Sequence, residues 1–242
     1  MRALYDLPAP AKLNLFLHVI GHRADGYHLL QSVFMLIDWC DTLHFELRSD
    51  GQLSREDLAT ALPMDDLTLR AARALQSATA CTAGVHIGIA KRVPSQAGMG
   101  GGSSDAATCL LALNHLWGLH LPLSALTKIG LQLGADIPFF LHGHNAWVEG
   151  TGELITPLNG LAALPPERFA VLKPASGLDT GRIFSATELK RDSKPATIAG
   201  FAANQKEFRN SARNDLYGVA RQLCPDLDFG LVWLGSQGLS GR

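Results

Sequence analysis

Four glycines fall within five residues, Gly98, Gly100, Gly101 and Gly102, inside the run Pro94-Ser95-Gln96-Ala97-Gly98-Met99-Gly100-Gly101-Gly102-Ser103-Ser104. Val85, Ile87 and Ile89 alternate ahead of this run as a strand that ends at Lys91, and Ala106, Leu110, Leu113 and Trp117 follow it at helical spacing up to Gly118, which is placed to cap a helix. A glycine-dense connection between a strand and a helix lets backbone N–H groups converge without side chains in the way. The helix N-terminus adds about half a positive charge at the same point. The natural occupant is a phosphate chain, and Ser103 and Ser104 offer hydroxyls that either cap the helix or reach phosphate and Mg2+. A flexible surface loop is the plainer alternative.

The common nucleotide patterns are missing. There is no G-x-x-x-x-G-K-[ST], no acidic residue about 20 positions beyond a Rossmann turn, no H-R-D and no D-F-G. A phosphate loop here belongs to another architecture.

Upstream, Ala11, Leu13, Leu15, Leu17 and Val19 alternate with Lys12, Asn14, Phe16 and His18, which predicts a strand with one face in the core. Arg23-Ala24-Asp25-Gly26 is a turn signal, residues 33–37 pair back on the first strand, and residues 42–47 form a further strand. Asp65 and Asp66 precede Leu67, Ala71, Ala74, Leu75 and Ala78, a helix with a capping residue in front. Another helix covers residues 123–133 and stops at Gly134. Asp136 then sits in a short connection, because Pro138 biases Ile137 away from helical angles. The three prolines of residues 156–167 mark a domain boundary. Beyond it the pattern predicts a strand at 169–172, a helix starting near Thr180 and a helix over 216–223.

Lys12 and Asn14, two apart on a strand, project the same way roughly 7 Å apart. Singly, they suit a solvated face and Asp136 suits a turn. Beside a phosphate loop they gain a chemical logic: a carboxylate orients and deprotonates an attacking hydroxyl while an ammonium offsets charge on the transferred phosphoryl group.

Composition excludes several classes. With 242 residues, 47% hydrophobic and 18% charged, the chain is globular, with one large or two modest domains. A net charge of −1 without a dense Lys/Arg run argues against a nucleic-acid partner. No apolar run reaches membrane-spanning length and the N-terminus lacks a leader pattern, so the expectation is a cytoplasmic protein with no membrane partner. Cys40, Cys81, Cys109 and Cys224 form no CxxC pair and read as buried free thiols. His142 and His144 form an H-x-H on one strand face with no third ligand, and read as surface histidines. Trp117, Trp147 and Trp233 read as packing residues. No carboxylate declares itself a metal ligand, though Asp105 and Glu149 are candidates; oligomeric state is not readable.

PAPAKLNLFLHVIGHRADGYHLLQSVF at 8–34, PSQAGMGGGSSDAA at 94–107, LGADIPFFLHGHNAWVEGTGE at 133–153 and, more faintly, NDL at 214–216 resemble the GHMP kinases. The middle motif marks that superfamily broadly, whereas ADGYH is similar to members acting on a cytidine-diphosphate-linked sugar alcohol. The resemblance implies a two-domain α+β fold: an N-terminal ATP- and substrate-binding domain over 1–156, like ribosomal protein S5 domain 2, and a ferredoxin-like C-terminal domain over 157–242. It implies ATP-dependent phosphorylation, with Mg2+, of the 2-hydroxyl of 4-diphosphocytidyl-2-C-methyl-D-erythritol in non-mevalonate isoprenoid precursor synthesis. By motif position Asp136 is the base and Lys12 its charge-stabilising partner. Pro94, Ala97, Gly98, Met99, Gly100, Gly101, Gly102, Ser103 and Ser104 hold the ATP phosphates. Asn14 places the substrate hydroxyl region, Tyr27 and His28 recognise cytosine by stacking and hydrogen bonding, and Phe184 is a second stacking partner. Family members carry a third glycine motif near the C-terminus. This chain stops at Gly238-Leu239-Ser240-Gly241-Arg242, about where that motif begins, so the expectation is an incomplete C-terminal domain. Another small-molecule GHMP kinase, such as a homoserine or mevalonate kinase, and a nucleotide-binding form impaired by the missing motif are the alternatives.

Overall fold

The computed structural model describes residues 2–211 and 213–239, in a mixed α+β arrangement. Residues 240–242, where part of the expectation of an unfinished glycine motif falls, lie outside the described residues. Strand β1 runs Ala3–His22 and pairs with β2, His28–Arg48. The turn between them is closed by the Arg23 N–H donating to the Tyr27 carbonyl at 2.7 Å, with Gly26 at φ +92°. The strands predicted at 33–37 and 42–47 are one strand. Asp38 and Asp41 interrupt the apolar pattern between them, but hydrophobic pattern is a property of side chains and does not interrupt backbone pairing.

The chain forms two compact units, each drawn from separate stretches. The first takes residues up to Lys12, Leu36–Pro94 and Met99–His144. Here β3, Leu53–Asp57, runs parallel to β4, Gly84–Ala90, and β4 pairs antiparallel with the C-terminal half of β2, from Thr42 opposite Ala90 to Arg48 opposite Gly84. Helices α1, Leu67–Thr79, α2, Gly101–Leu116, α3, Leu123–Leu133, and α4, Ile137–His142, complete it. Leu43, Phe45, Val85, Ile87 and Ile89 of the sheet and Leu75, Leu110 and Leu113 of the helices are fully buried. Each such side chain contributes about 1.5–3 kcal/mol through removal from water.

Three local expectations are corrected in this unit. Helix α2 begins at Gly101 with Gly100 in the capping position, so Ser103 and Ser104 lie in its first turn and cap nothing. Ile137 is helical, since a proline in the first turn of α4 has no intrahelical donor to lose. His142 ends α4 and His144 follows Gly143 at φ +66°, so the two histidines share no strand face.

The second unit takes Leu13–Met35, Ser95–Gly98 and the chain from Asn145 onward. The N-terminal half of β2 pairs antiparallel with β5, Ala146–Gly150, which pairs with β6, Leu154–Pro157. A 3-10 turn, Gly160–Ala162, and short helices follow: α5, Thr180–Ser185; α6, Ile198–Ala203; α7, Gln205–Ser211; α8, Tyr217–Leu223; and α9, Asp226–Ser236. One apolar cluster gathers Leu15, Phe16, Val33, Met35, Trp147, Leu158 and Phe201. A second gathers Leu17, Val19, Ile183, Leu189, Val219 and Ala220. The expectation of a single buried face on β1 therefore fails at Phe16, whose ring lies 5.4 Å from that of Trp147 and 5.1 Å from that of Phe208. The strand predicted at 169–172 is irregular backbone. No described strand pairs with it, and an unpaired segment gains no ladder hydrogen bonds.

Cys109 and Cys224 are buried and Cys40 and Cys81 partly so, all four as free thiols. Trp147 is buried, and Trp117 is anchored by its indole N–H on the Gly84 carbonyl, but Trp233 is about half exposed. Among the described residues no helix is long and apolar enough to cross a membrane, and no group of three or more His, Cys, Asp or Glu side chains is arranged to hold a metal.

Candidate active site

The glycine loop leaves β4 under tight control. Asp41, buried on β2, accepts from the N–H groups of Arg92 at 2.5 Å and Val93 at 2.8 Å through one carboxylate oxygen. Its other oxygen pairs with Lys91 Nζ, which also donates to Asp105 Oδ2 on α2 at 2.6 Å. One lysine thus ties the strand that enters the loop to the helix that leaves it. Burial pushes the Asp105 carboxyl up to about 7, with Lys91 opposing. Burial works against the Lys91 charge too, but Asp105 and Asp41 outweigh it and hold its pKa above the ordinary value.

Gln96, Gly98 and Gly100 have positive φ, the left-handed backbone of tight turns. At Gly100 two requirements coincide. φ is +70°, and a Cβ built there would lie 2.7 Å from Phe140 Cζ and 3.4 Å from Lys12 Cγ. The absence of a side chain is what lets α4, β1 and the loop meet. The Lys12 backbone N–H donates to the Met99 carbonyl at 3.0 Å, fastening β1 to the loop. No side chain caps α2, so its first N–H groups and dipole remain directed at the approach to the loop.

Two charged side chains converge on this point. Lys12 is only 5% exposed, and its Nζ lies 3.7 Å from Asp136 Oδ2. Asp136 occupies the capping position of α4 at φ −82°, ψ −16°, but its side chain makes no capping hydrogen bond, so the carboxylate is not tied to its own helix. The turn preceding it lies beside the loop, since a Cβ on Gly134 would sit 3.8 Å from Ser103 Oγ. Ser104 Oγ, fully buried one residue further on, has no hydrogen-bond partner. An anion-seeking helix terminus, an ammonium and a carboxylate within one unit can bind a phosphate chain, offset its charge and take a proton from a hydroxyl.

A separate feature lies in the second unit. His22, Tyr27, His28, Phe184 and Arg191 line a cavity of about 480 Å3 together with Gly26, Leu30, Thr151, Gly181 and Ser185. Tyr27 is 62% exposed. The His28 and Phe184 rings are 5.1 Å apart at 31°, and His22 meets His28 edge-on at 5.0 Å. These rings already pack on one another, so a flat aromatic ligand would stack on the outward faces that Tyr27 and Phe184 give to the cavity rather than slip between His28 and Phe184. Burial, then the Arg191 charge and His22, hold the His28 pKa below its ordinary value. The structure thus brings Lys12, Asp136 and Met99 to Ser104 together in one unit and Tyr27, His28 and Phe184 together in the other. Asn14 is placed differently: its amide donates to Ser32 Oγ at 3.1 Å, and it lines a cavity of about 700 Å3 with Leu13, Leu15, Tyr217 and residues 167–174. Sequence reasoning missed Arg191, His22 and the ties made by Asp41. In Asp41 the available signal was an acid set between the apolar run 33–37 and the apolar alternation of 43–47 in the sequence.

The family model for the GHMP kinases N terminal domain matches residues 66–144. Over its whole length the chain is 64% identical to the 4-diphosphocytidyl-2-C-methyl-D-erythritol kinase of Variovorax paradoxus (strain S110), covering 84% of that protein. It is 65% identical to the protein of the same name from Albidiferax ferrireducens (strain ATCC BAA-621 / DSM 15236 / T118), covering 82% of it. Among solved structures, a crystal structure of 4-(cytidine 5'-diphospho)-2C-methyl-D-erythritol kinase superposes with a TM-score of 0.80 at 33% identity, over 98% of this chain and 84% of that one. A homoserine kinase from Cytophaga hutchinsonii ATCC 33406 shares the fold at a TM-score of 0.51 and 15% identity, over 65% of this chain and 52% of that one.

Proposed function

The chain belongs to the GHMP kinases, and from that premise we propose that it transfers the γ-phosphate of ATP to the 2-hydroxyl of 4-diphosphocytidyl-2-C-methyl-D-erythritol. The chemistry rests on the buried Lys12, packed against Gly100 and ion-paired at 3.7 Å with an Asp136 carboxylate that makes no capping hydrogen bond to its own helix. In this reading residues 94, 97 and 98 and the backbone of Met99 to Ser104 cradle the ATP phosphates. Asp136 accepts the proton of the attacking hydroxyl as its oxygen bonds to the γ-phosphorus, ADP leaves, and Lys12 offsets charge on the phosphoryl oxygens in transit. Tyr27 and Phe184 stack on cytosine, His28 hydrogen-bonds its edge, and Asn14 serves the sugar-alcohol end. Residues 1–156 carry the phosphate machinery and most substrate contacts; residues 157–242 contribute Phe184.

Mg2+ is part of this reading. It neutralises phosphate charge when bound, and the buried, unpartnered Ser104 Oγ fits as a ligand beside the phosphates. Glu149 is engaged by Gln31 Nε2 at 2.7 Å, which leaves it poorly suited, whereas Asp105 gives only Oδ2 to Lys91 and keeps a buried Oδ1 without a hydrogen-bond partner. A small-molecule role in the cytoplasm, in isoprenoid precursor synthesis, accompanies this assignment.

Asp136→Asn tests it. The variant is expected to lose about 10²–10⁴ in kcat with ATP affinity nearly unchanged, measured by ADP release and nucleotide titration. Unchanged turnover would remove Asp136 as the base.

A further inference from the structure

We propose that Arg191 is a positioning residue that fixes His28 as its Nδ1–H tautomer and so makes the pocket select cytosine over uracil, an inference that rests on the cytidine-linked substrate proposed above. Arg191 Nε–H donates to His28 Nε2 at 2.9 Å. That nitrogen therefore holds a lone pair, and the proton of the neutral ring sits on Nδ1. Arg191 is itself held by its terminal nitrogens, which donate to the carbonyls of Phe184 at 3.1 Å, Ala186 at 2.7 Å, Thr187 at 3.4 Å and Leu189 at 3.0 Å. With every guanidinium nitrogen engaged in this way, the fork has one fixed orientation. The same side chain thus secures both the tautomer of His28 and the backbone that carries its stacking partner Phe184.

The discrimination follows from base chemistry. Cytosine N3 is an acceptor, whereas uracil N3 carries a hydrogen. A donor at His28 Nδ1 is matched by the first and opposed by the second. Stacking on Tyr27 and Phe184 cannot make this distinction, because every base has a π-face. Without Arg191 the imidazole can carry its proton on either nitrogen, and it can present an acceptor to uracil as readily as a donor to cytosine.

The experiment compares the wild-type chain with Arg191→Met and Arg191→Lys, using the cytidine- and uridine-linked forms of the same acceptor. Long-range 1H–15N histidine spectra accompany the kinetics. The wild type is expected to prefer the cytidine form and to show His28 protonated on Nδ1. Arg191→Met should reduce the preference about tenfold through KM for the cytidine form, leave KM for ATP unchanged and give mixed tautomers. Arg191→Lys, which retains a donor, should keep part of the preference. If Arg191→Met raises KM for both forms by the same factor and leaves the preference intact, Arg191 is only a structural staple and the proposal is overturned. A wild-type spectrum with the proton on Nε2 also overturns it. Should the methionine variant fail to fold, that spectrum and the lysine variant decide. Turnover of neither form would instead overturn the substrate reading, and the spectrum would still judge the tautomer by itself.

Discussion

Asp105 keeps its carboxyl group where charge is hard to sustain, between the buried Lys91 and the body of α2. Burial raises its pKa from 3.8 to about 7, so the folded chain holds that proton more tightly than the unfolded chain does. The stabilising contribution of this group is complete below about pH 4 and is lost as pH rises through about 7. Asp105→Asn removes the titration while keeping the shape. Its melting temperature is therefore expected to climb relative to the wild type between about pH 4 and pH 8, by up to several degrees. Thermal melts across that range check it, and a pH-independent difference would contradict the assignment. Gly100 is constrained more simply: positive φ and the Phe140 ring both exclude a side chain, so the loop that approaches Lys12 depends on that one residue type.

Helix α1 shows how local chemistry sets an element's boundary. The Asp66 carboxylate accepts from the Thr68 and Leu69 N–H groups at 3.2 Å each and also pairs with Arg55 on β3 at 2.6 Å. Asp66→Ala should cost about 1–2 kcal/mol, read as a lower urea midpoint with an unchanged slope. A shift within error would show the cap to be idle. Local signals of this kind made α1, α3 and β4 legible in the sequence. The start of α2 was not, because Gly101 and Gly102 are poor helix formers that only their packing context makes helical. The unity of β2 was hidden by Asp38 and Asp41, and α6 and α7 are too short for periodicity to mark. Residues 169–172 look like a strand by composition, yet pairing is a long-range property. The same division holds at the site. Lys12, Asp136 and the glycines stand in motifs, while Arg191 meets His28 across 163 positions of sequence and carries no local mark.

At the scale of the whole molecule, neither unit is a contiguous stretch of chain. β1 and β2 each contribute residues to both. A near-neutral surface charge suits a small anionic ligand held by placed groups better than a long polyanion held by a basic face. Dependence on cytidine follows, because remote binding at the base helps position the reacting hydroxyl. ADP release from ATP and Mg2+ measures that dependence most directly, with 4-diphosphocytidyl-2-C-methyl-D-erythritol compared against methylerythritol phosphate lacking the cytidine group. The expected result is turnover of the cytidine-linked acceptor with kcat/KM higher by about 100-fold or more. Equal kcat/KM on both acceptors, or no turnover of the cytidine-linked one, would contradict it.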